Sequence, residues 1–116
     1  MKTQIIYVAP LKRDVTFYIG QNKVDNFDII DAAKTTDLWF HAKEESSCHV
    51  VCDLPDDIEK KQLRYIVKIG ALMCKQHTHK LKSIKNVDMI YTSIKNVTKT
   101  NLDGCVITEN TKTISC

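Results

Sequence analysis

The segment at residues 36–51 concentrates more potential chemistry than any other part of this sequence. It holds the only tryptophan, two of the four histidines and two adjacent serines: Trp39, His41, His49, Ser46 and Ser47. Imidazoles and hydroxyls both donate and accept hydrogen bonds, and an indole ring offers a flat apolar face. This combination suits the binding of a polar ligand better than the filling of a core.

Two short strands are predicted to position these side chains. Within residues 37–42, Leu38 and Phe40 alternate with Trp39 and His41. Residues 49–52 begin a second apolar run. Residues 43–48 would connect the two strands. Because alternate residues of a strand point to the same side of a sheet, Trp39 and His41 are expected to share one face.

The first part of the chain predicts a hairpin and a short helix. Residues 4–9 and 15–19 are short runs rich in β-branched and aromatic residues, as in paired strands. Asp25 or Asn26 is placed to cap a short helix that runs through Ala33.

A long amphipathic helix is predicted over residues 58–77, with Asp56 as its cap and Glu59 three residues later. Its apolar residues recur at three- and four-residue steps, as Leu63, Ile66, Val67, Gly70, Ala71 and Cys74. Four cations share the opposite side within about 60° of one another: Lys61, Arg64, Lys68 and Lys75. One side of the helix is therefore expected to face the sheet, and the other to present a basic ridge.

Closing strands are predicted at residues 87–93, 104–108 and 112–115. The fold class expected from these elements is α+β, a mostly antiparallel sheet with one long core helix and one short helix. A chain of 116 residues fits one compact core, so residues 1–116 are expected to form a single domain.

Composition narrows the class of protein further. The N-terminus lacks the layout of a signal peptide and the apolar runs are short, so a soluble cytoplasmic protein without membrane contact is expected. Five cysteines at irregular spacing suit reduced thiols better than a disulfide framework. The formal net charge of +3 does not by itself indicate a nucleic-acid-binding protein, so the distribution of the cations is more informative.

Several segments of the sequence share their order and spacing with a known family. They are Asp37-Leu-Trp-Phe-His41 followed by Ser47-Cys48-His49-Val50-Val51, Phe17-Tyr-Ile-Gly20 with Asn26, Asp88-Met-Ile-Tyr91-Thr92 followed by Asn96-Val97-Thr98-Lys99, and Gly104-Cys105-Val106. Together they resemble the R domain of the NFACT proteins, the ribosome-associated quality-control factors. The similarity covers residues 15–106, which makes it more specific than a single short motif.

This resemblance implies a module that binds RNA or another nucleic acid, with structured RNA such as tRNA or rRNA favoured. It also implies a link to translation or ribosome quality control, with the ribosome as a further partner. It does not imply tRNA-dependent tailing, which the family associates with complete NFACT proteins. One difference is the connection before His49, which is Ser46-Ser47-Cys48 here and Pro-Gly-Ser in the large members.

Sequence-tolerant nucleic-acid binding needs cations for phosphates and flat rings for bases. The candidate contact residues are Trp39, His41, Lys43, Ser46, Ser47, His49, Lys61, Arg64, Lys68, Tyr91, Lys95 and Lys99. A base stacked on Trp39 would contribute about 1–3 kcal/mol. Neither a cofactor, nor a metal, nor enzyme activity is expected.

Several alternatives stay open. Trp39 is equally well a core residue, and the two histidines a structural hydrogen-bonded pair. A zinc site is one alternative, with candidate ligands Cys48, Cys52, Cys74, His77 and His79. Two thiols four residues apart on an extended strand, however, lie about 13 Å apart. A small ribonuclease is another alternative, in which His41 and His49 with Lys43 would act as acid and base. The domain is also a candidate protein-interaction module that docks on a ribosome or partner chain.

Overall fold

An antiparallel sheet forms the centre of the molecule in the computed structural model, which describes residues 1–102 and 105–116. The strands are β1 (Lys2–Val8), β2 (Arg13–Ile19), β3 (Leu38–Ala42), β4 (Val50–Cys52), β5 (Asp88–Ser93), β6 (Val97–Lys99), β7 (Val106–Thr108) and β8 (Lys112–Ser115). The main sheet has the order β1-β2-β4-β3-β5-β8, and β6 pairs with β7 alone. All of these pairings are antiparallel.

Within the described residues, the two α-helices are α1 (Lys23–Ala32) and α2 (Lys60–Gln76). One short helix, one long helix and a mostly antiparallel sheet confirm the predicted α+β class. Short 3-10 turns at Ala9–Leu11 and Ile94–Asn96, and strand β6, were not predicted. Gly104, the predicted start of the strand at residues 104–108, lies outside the described residues.

The cap of α1 differs from the prediction. Asn22 is the N-cap, and its Oδ1 accepts a hydrogen bond from the backbone N–H of Asp25 at 2.9 Å. Asp25 instead lies in the first turn, where its carboxylate accepts from the N–H of Gln21 at 3.2 Å. A carboxylate there interacts favourably with the positive end of the helix dipole.

The start of α2 was also predicted two residues too early. Glu59, and not Asp56, is the N-cap, and its backbone N–H donates to Oε1 of Gln62 at 3.1 Å. The glutamine three residues into a helix commonly returns a side chain to the cap in this way. No helix of the described ranges is long and apolar enough to span a bilayer.

Both faces of the main sheet are covered. On one face, Phe17, Phe40 and Val50 pack with Ile66 and Cys74 of α2 in the larger core cluster. The opposite face has its own cluster, composed of Ile29, Ile30, Trp39, Val51 and Ile94. Helix α1 and the 3-10 turn after β5 thus cover the second face, and the central strands β3 and β4 are buried on both sides.

Gly70 sets how closely α2 approaches the sheet. A Cβ atom at this position would lie 2.3 Å from Cζ of Phe40, far inside van der Waals contact. The missing side chain therefore lets the phenyl ring of Phe40, which is fully buried, sit directly against the helix backbone.

Candidate nucleic-acid interface

Trp39, His41 and His49 form a compact cluster of rings, called here the ring cluster. The rings of Trp39 and His41 are stacked, with centroids 5.5 Å apart and an interplanar angle of 4°. The ring of His49 meets both edge-on, at 5.3 Å from Trp39 and 4.9 Å from His41. The predicted sharing of one face by Trp39 and His41 is therefore observed.

The ring cluster is largely buried. Trp39 and His49 are 1% and 2% exposed, and the indole Nε1–H donates to Nδ1 of His49 at 3.1 Å. Nδ1 of His41 lies 2.7 Å from the carbonyl oxygen of Ala42, so this nitrogen carries the hydrogen and donates. Trp39 thus packs as a core residue against α1. The prediction that its ring is exposed for base stacking was wrong, because α1 covers the second face of the sheet.

Asn26 joins the ring cluster to α1, and Gly20 joins it to the end of β2. Its Oδ1 accepts from the backbone N–H of His49 at 3.3 Å, and the N–H of Gly20 donates to the His49 carbonyl at 2.9 Å. A Cβ on Gly20 would lie 2.0 Å from Oδ1 of Asn26. A glycine is therefore required at the end of β2 for the asparagine to reach His49.

Ser46 and Ser47 line a groove on the surface, called here the polar groove. This groove has a volume of about 510 Å³ and is lined by the β2–α1 connection, by Ser46, Ser47 and Cys48, and by residues 77–79. Ser47 Oγ accepts from the N–H of Ala42 at 3.0 Å and so shapes the loop. Ser46 is exposed and its Oγ accepts from Nζ of Lys80 at 3.1 Å. Lys43 is exposed after β3.

A different part of the surface holds the predicted basic ridge. A groove of about 790 Å³ lies between the first half of α2 and strands β5 and β8. We call it the basic groove; its lining residues are Lys60, Lys61, Leu63, Arg64, Tyr65, Val67, Lys68, Tyr91, Lys112, Thr113 and Ile114. Four predicted contact residues, Lys61, Arg64, Lys68 and Tyr91, are therefore brought together.

The basic groove is rich in positive charge. Five of its lining residues are cations, and none of the described lining residues is acidic. Among the described residues, none of these five cations lies within ion-pair distance of a carboxylate, whereas the exposed Arg13 pairs with Asp57 at 2.8 Å. Positive charges without neighbouring carboxylates attract phosphate groups more strongly than paired ones.

Lys75 does not belong to this ridge. It is only 8% exposed, and its Nζ donates to the carbonyl oxygen of Cys116 at 2.9 Å. The predicted four-cation stripe is therefore corrected to the first half of α2. Two backbone hydrogen bonds between Val87 and Cys116 hold Cys116 in place beside this lysine.

Lys95 and Lys99 lie away from the basic groove. Lys99 Nζ pairs with Asp31 Oδ1 of α1 at 2.6 Å and lies 5.4 Å from the ring centre of Phe27. Lys95 is exposed in the 3-10 turn, and its N–H donates to the carbonyl of Thr35 at 3.2 Å. Both belong to the α1 side of the sheet, opposite α2.

Sequence reasoning missed Lys60, Tyr65 and Lys112 in the basic groove. Tyr65 is 49% exposed, and its spacing of four residues from Lys61 placed it on the same helix side as the ridge. Lys112 offered no such signal, because only the pairing of β8 with β5 sets it opposite Tyr91.

The cysteine and histidine side chains of the zinc alternative do not form a metal-ligand set, although Cys48 lies near Cys74 and lines one groove with His77 and His79. Within residues 1–102 and 105–116, no group of three or more His, Cys, Asp or Glu side chains is arranged to hold a metal ion. Cys52 lies on β4 with a buried thiol, and burial raises its pKa, while His77 is exposed at the end of α2.

Comparison with known proteins identifies the family of this fold. The sequence profile described as NFACT protein RNA binding domain matches residues 5–114. This chain belongs to the NFACT RNA-binding domain family. The resemblance predicted from its motifs is thereby confirmed, and membership supports a nucleic-acid-binding module.

Curated relatives of this NFACT RNA-binding domain carry the name coiled-coil domain-containing protein 25. The Danio rerio protein is 32% identical over 90 residues, which cover 73% of this chain and 42% of the relative. The Mus musculus protein is 33% identical over 94 residues, covering 73% and 41%, and a Dictyostelium discoideum homologue is 26% identical over 105 residues, covering 83% and 47%. The domain thus spans less than half the length of these relatives.

A solved structure has the same fold. The C-terminal part of the fibronectin/fibrinogen-binding protein from Streptococcus suis superposes on the NFACT RNA-binding domain with a TM-score of 0.75. The two chains are 23% identical, and the match covers 87% of this chain and 40% of the other.

Thr92 and Asn96, in the closing motif of this NFACT RNA-binding domain, are joined by a hydrogen bond. The Thr92 hydroxyl is within 3.1 Å of the carbonyl oxygen of Glu109 and accepts from Nδ2 of Asn96 at 3.0 Å. The carbonyl of Asn96 in turn accepts from the N–H of Glu109 at 3.0 Å. These contacts fix the β7–β8 connection against the end of β5.

Proposed function

We propose that this domain binds RNA through the basic groove. The observation that carries the proposal is the convergence of five cations and two tyrosines along one open groove whose described lining has no carboxylate. Lysine and arginine supply the sequence-independent attraction to phosphates, and exposed aromatic rings supply stacking surfaces for bases.

The dimensions of the groove suit a nucleic-acid backbone. Lys61 and Lys68 are seven residues apart on α2, which places them about 10 Å apart along the helix axis. Arg64 lies between them, and Lys112 flanks the groove from the edge strand β8. A row of cations on a rigid helix, faced by another cation across a groove, would follow one strand of phosphates.

Tyr65 is the ring that we propose for base stacking, in place of the buried Trp39. It is 49% exposed and lies among the cations of α2. Tyr91 contributes less surface, because it is half-buried and its ring centre lies 6.1 Å from that of Phe40.

Structured RNA such as tRNA or rRNA, in the cytoplasmic setting of translation or ribosome quality control, is the ligand class that we propose from the family. The domain would act by binding and not by catalysis. The ring cluster supports this view, since both histidine rings are engaged in contacts that hold the β3–β4 segment. The ribonuclease alternative would need both imidazoles to reach a substrate.

The experiment is a titration of the domain with tRNA, a single-stranded RNA and a duplex DNA at several salt concentrations. The groove variant carries Lys61→Glu, Arg64→Glu and Lys68→Glu. Loss of three phosphate contacts should lower the slope of log K against log salt by about 2–3. Preference for tRNA over the other two ligands would support structured RNA.

A second triple variant with Lys2→Glu, Lys82→Glu and Lys85→Glu is the matched control. These lysines are exposed outside the basic groove, and both variants have the same formal net charge. The control should keep most of the wild-type affinity for tRNA. Equal affinities of wild type and groove variant would refute the proposal.

Protein docking is a second candidate function, favoured by the edge strand β1. Ile5 and Tyr7 are 62% and 63% exposed on one side of this strand, which has a neighbour on only one edge in the main sheet. Exposed apolar residues on an open strand edge are common in surfaces that add a strand from a partner. Such docking should tolerate salt, whereas phosphate binding should weaken steeply between about 50 and 200 mM.

A further inference from the structure

Two of the five cysteines face each other between the β3–β4 connection and α2. The Sγ atoms of Cys48 and Cys74 are 3.8 Å apart. The Cys74 thiol lies 3.2 Å from the carbonyl oxygen of Cys48, and the Cys48 thiol lies 3.4 Å from that of Cys74. The two residues thus approach each other through both side chains and backbone.

The two thiols differ in access to solvent. Cys48 is half-buried and lines the polar groove, so it is the residue of the pair that faces solvent. Cys74 is fully buried behind it, against Phe40 on the sheet. A reagent from solvent therefore meets Cys48 first and reaches Cys74 only through Cys48.

The surroundings of Cys48 favour its thiolate form. When Cys48 is ionised, a hydrogen bond from the Cys74 thiol, assisted by the hydroxyl of Thr78 at 3.5 Å, lowers the pKa of Cys48 below its usual value. The thiolate is the form that attacks peroxides and disulfides. Burial and the neighbouring Cys48 sulfur raise the pKa of Cys74, which keeps that thiol protonated.

We infer that Cys48 and Cys74 form an oxidation site at which a hydroperoxide converts the two thiols into an intramolecular disulfide. In the first step the Cys48 thiolate attacks the peroxide and the O–O bond breaks. The leaving oxygen takes up the proton that Cys48 released, which gives a sulfenic acid and an alcohol, or water when the reagent is hydrogen peroxide. In the second step the Cys74 sulfur displaces hydroxide from the sulfenic acid, and its proton completes a molecule of water. Two thiols and one hydroperoxide thus yield one disulfide, one alcohol and one water.

Forming the bond requires the two sulfur atoms to move toward each other. The sulfur atoms must close from 3.8 Å to the bond length of about 2.05 Å. The disulfide would tether the connection that carries Ser46 and Ser47 to the last turns of α2. That tether fixes one wall of the polar groove, which reversible reduction would release.

The test exposes the native chain to limiting hydrogen peroxide, blocks the remaining thiols with N-ethylmaleimide, and maps the peptides by mass spectrometry without reduction. We expect a linked peptide pair containing Cys48 and Cys74, two hydrogen masses lighter than the separate thiols. Dithiothreitol should restore both thiols. Cys105, which is exposed, and the deeply buried Cys52 serve as internal references in the same digest.

Two variants separate the roles of the thiols. Cys74→Ser should leave Cys48 as a sulfenic acid that dimedone traps, and Cys48→Ser should leave Cys74 reduced at peroxide doses that oxidise the native pair. The inference is overturned if the native chain oxidises at Cys105 while Cys48 and Cys74 remain reduced. A Cys48 sulfenic acid that persists in the native chain would overturn it as well, and neither result depends on the variants folding.

Discussion

Buried hydrogen bonds link the residues that characterise this sequence. The indole N–H of Trp39 would lack a partner in the core without Nδ1 of His49, and an unsatisfied buried donor costs about 1–3 kcal/mol. His49 is in turn held by Oδ1 of Asn26. The aromatic and imidazole side chains near β3 therefore specify the fold, and the surface lysines and Tyr65 carry the proposed binding.

Asp37 is another such residue, at the entrance to β3. It is 3% exposed, and its carboxylate accepts from the backbone N–H groups of Lys34 at 2.9 Å and Leu54 at 3.1 Å. The ammonium group of Lys34 also lies between the carboxylates of Asp37 and Asp53, which raises the pKa of Lys34. The first position of the Asp-Leu-Trp-Phe-His motif thus joins two loops at one end of the sheet.

His41 should make the stability of the fold depend on pH. Burial, together with the charge of Lys80, lowers the pKa of His41 below its usual 6.5, although the hydrogen bond to Ala42 opposes this shift. Below pH 6.5 the unfolded chain therefore binds a proton that the folded chain does not. The free energy of unfolding should fall as pH decreases through this window, by at most about 1.4 kcal/mol per unit for one group.

Urea unfolding of the native chain and of His41→Gln between pH 5 and 7.5 measures this contribution. The variant should lose part of the pH dependence, whereas His79→Gln, which replaces an exposed histidine, should keep it. Parallel curves for the native chain and His41→Gln would contradict the assignment.

At the scale of elements, the apolar periodicity predicted the long helix well and its ends poorly. The stripe from Leu63 to Cys74 is set by packing on the sheet, so the face was correct. The cap was not, because Asp56 and Glu59 both carry oxygen atoms suited to a helix N-terminus. Which one serves depends on where the chain leaves the sheet, and that is a tertiary property. The same competition explains Asn22 in place of Asp25 or Asn26.

Replacing Gly70 with alanine should destabilise the contact between α2 and the sheet. Alanine gains up to about 1 kcal/mol in helix propensity. Its Cβ would nevertheless lie 2.3 Å from Phe40, and overpacking of a rigid core costs about 1–3 kcal/mol. We therefore expect a net loss in the free energy of unfolding, measured by chemical denaturation.

The control for this prediction is the same substitution beside a smaller core residue. In a Phe40→Leu background the added methyl group has more room, so Gly70→Ala should be less destabilising there than in the native chain. A stabilising Gly70→Ala in the native background would show that the helix does not lie against Phe40.

For the molecule as a whole, the position of the sheet decides which predicted residues act together. We predicted that Trp39, Lys68 and Lys99 lie in one binding surface. Strand alternation and helix periodicity show which residues share a face of one element, but not how the elements are arranged. In the fold, Lys68 lies on the α2 side, while Lys99 pairs with Asp31 of α1 on the other side. Helix α1 and residues 94–96 cover the second face through long-range packing. The two-residue alternation of a strand does not predict which elements cover its faces.

The separation of these two sides leads to a prediction about which cations contact RNA. Lys61→Glu with Lys68→Glu, in the basic groove, should lower the slope of log K against log salt for tRNA by about 1.5–2. Lys95→Glu with Lys99→Glu changes the formal charge equally but on the α1 side, and should leave that slope nearly unchanged. Thermal melting of both variants checks that loss of the Lys99–Asp31 ion pair leaves the domain folded. If both pairs reduce the slope equally, the RNA contacts both sides of the sheet, and the basic groove alone does not define the interface.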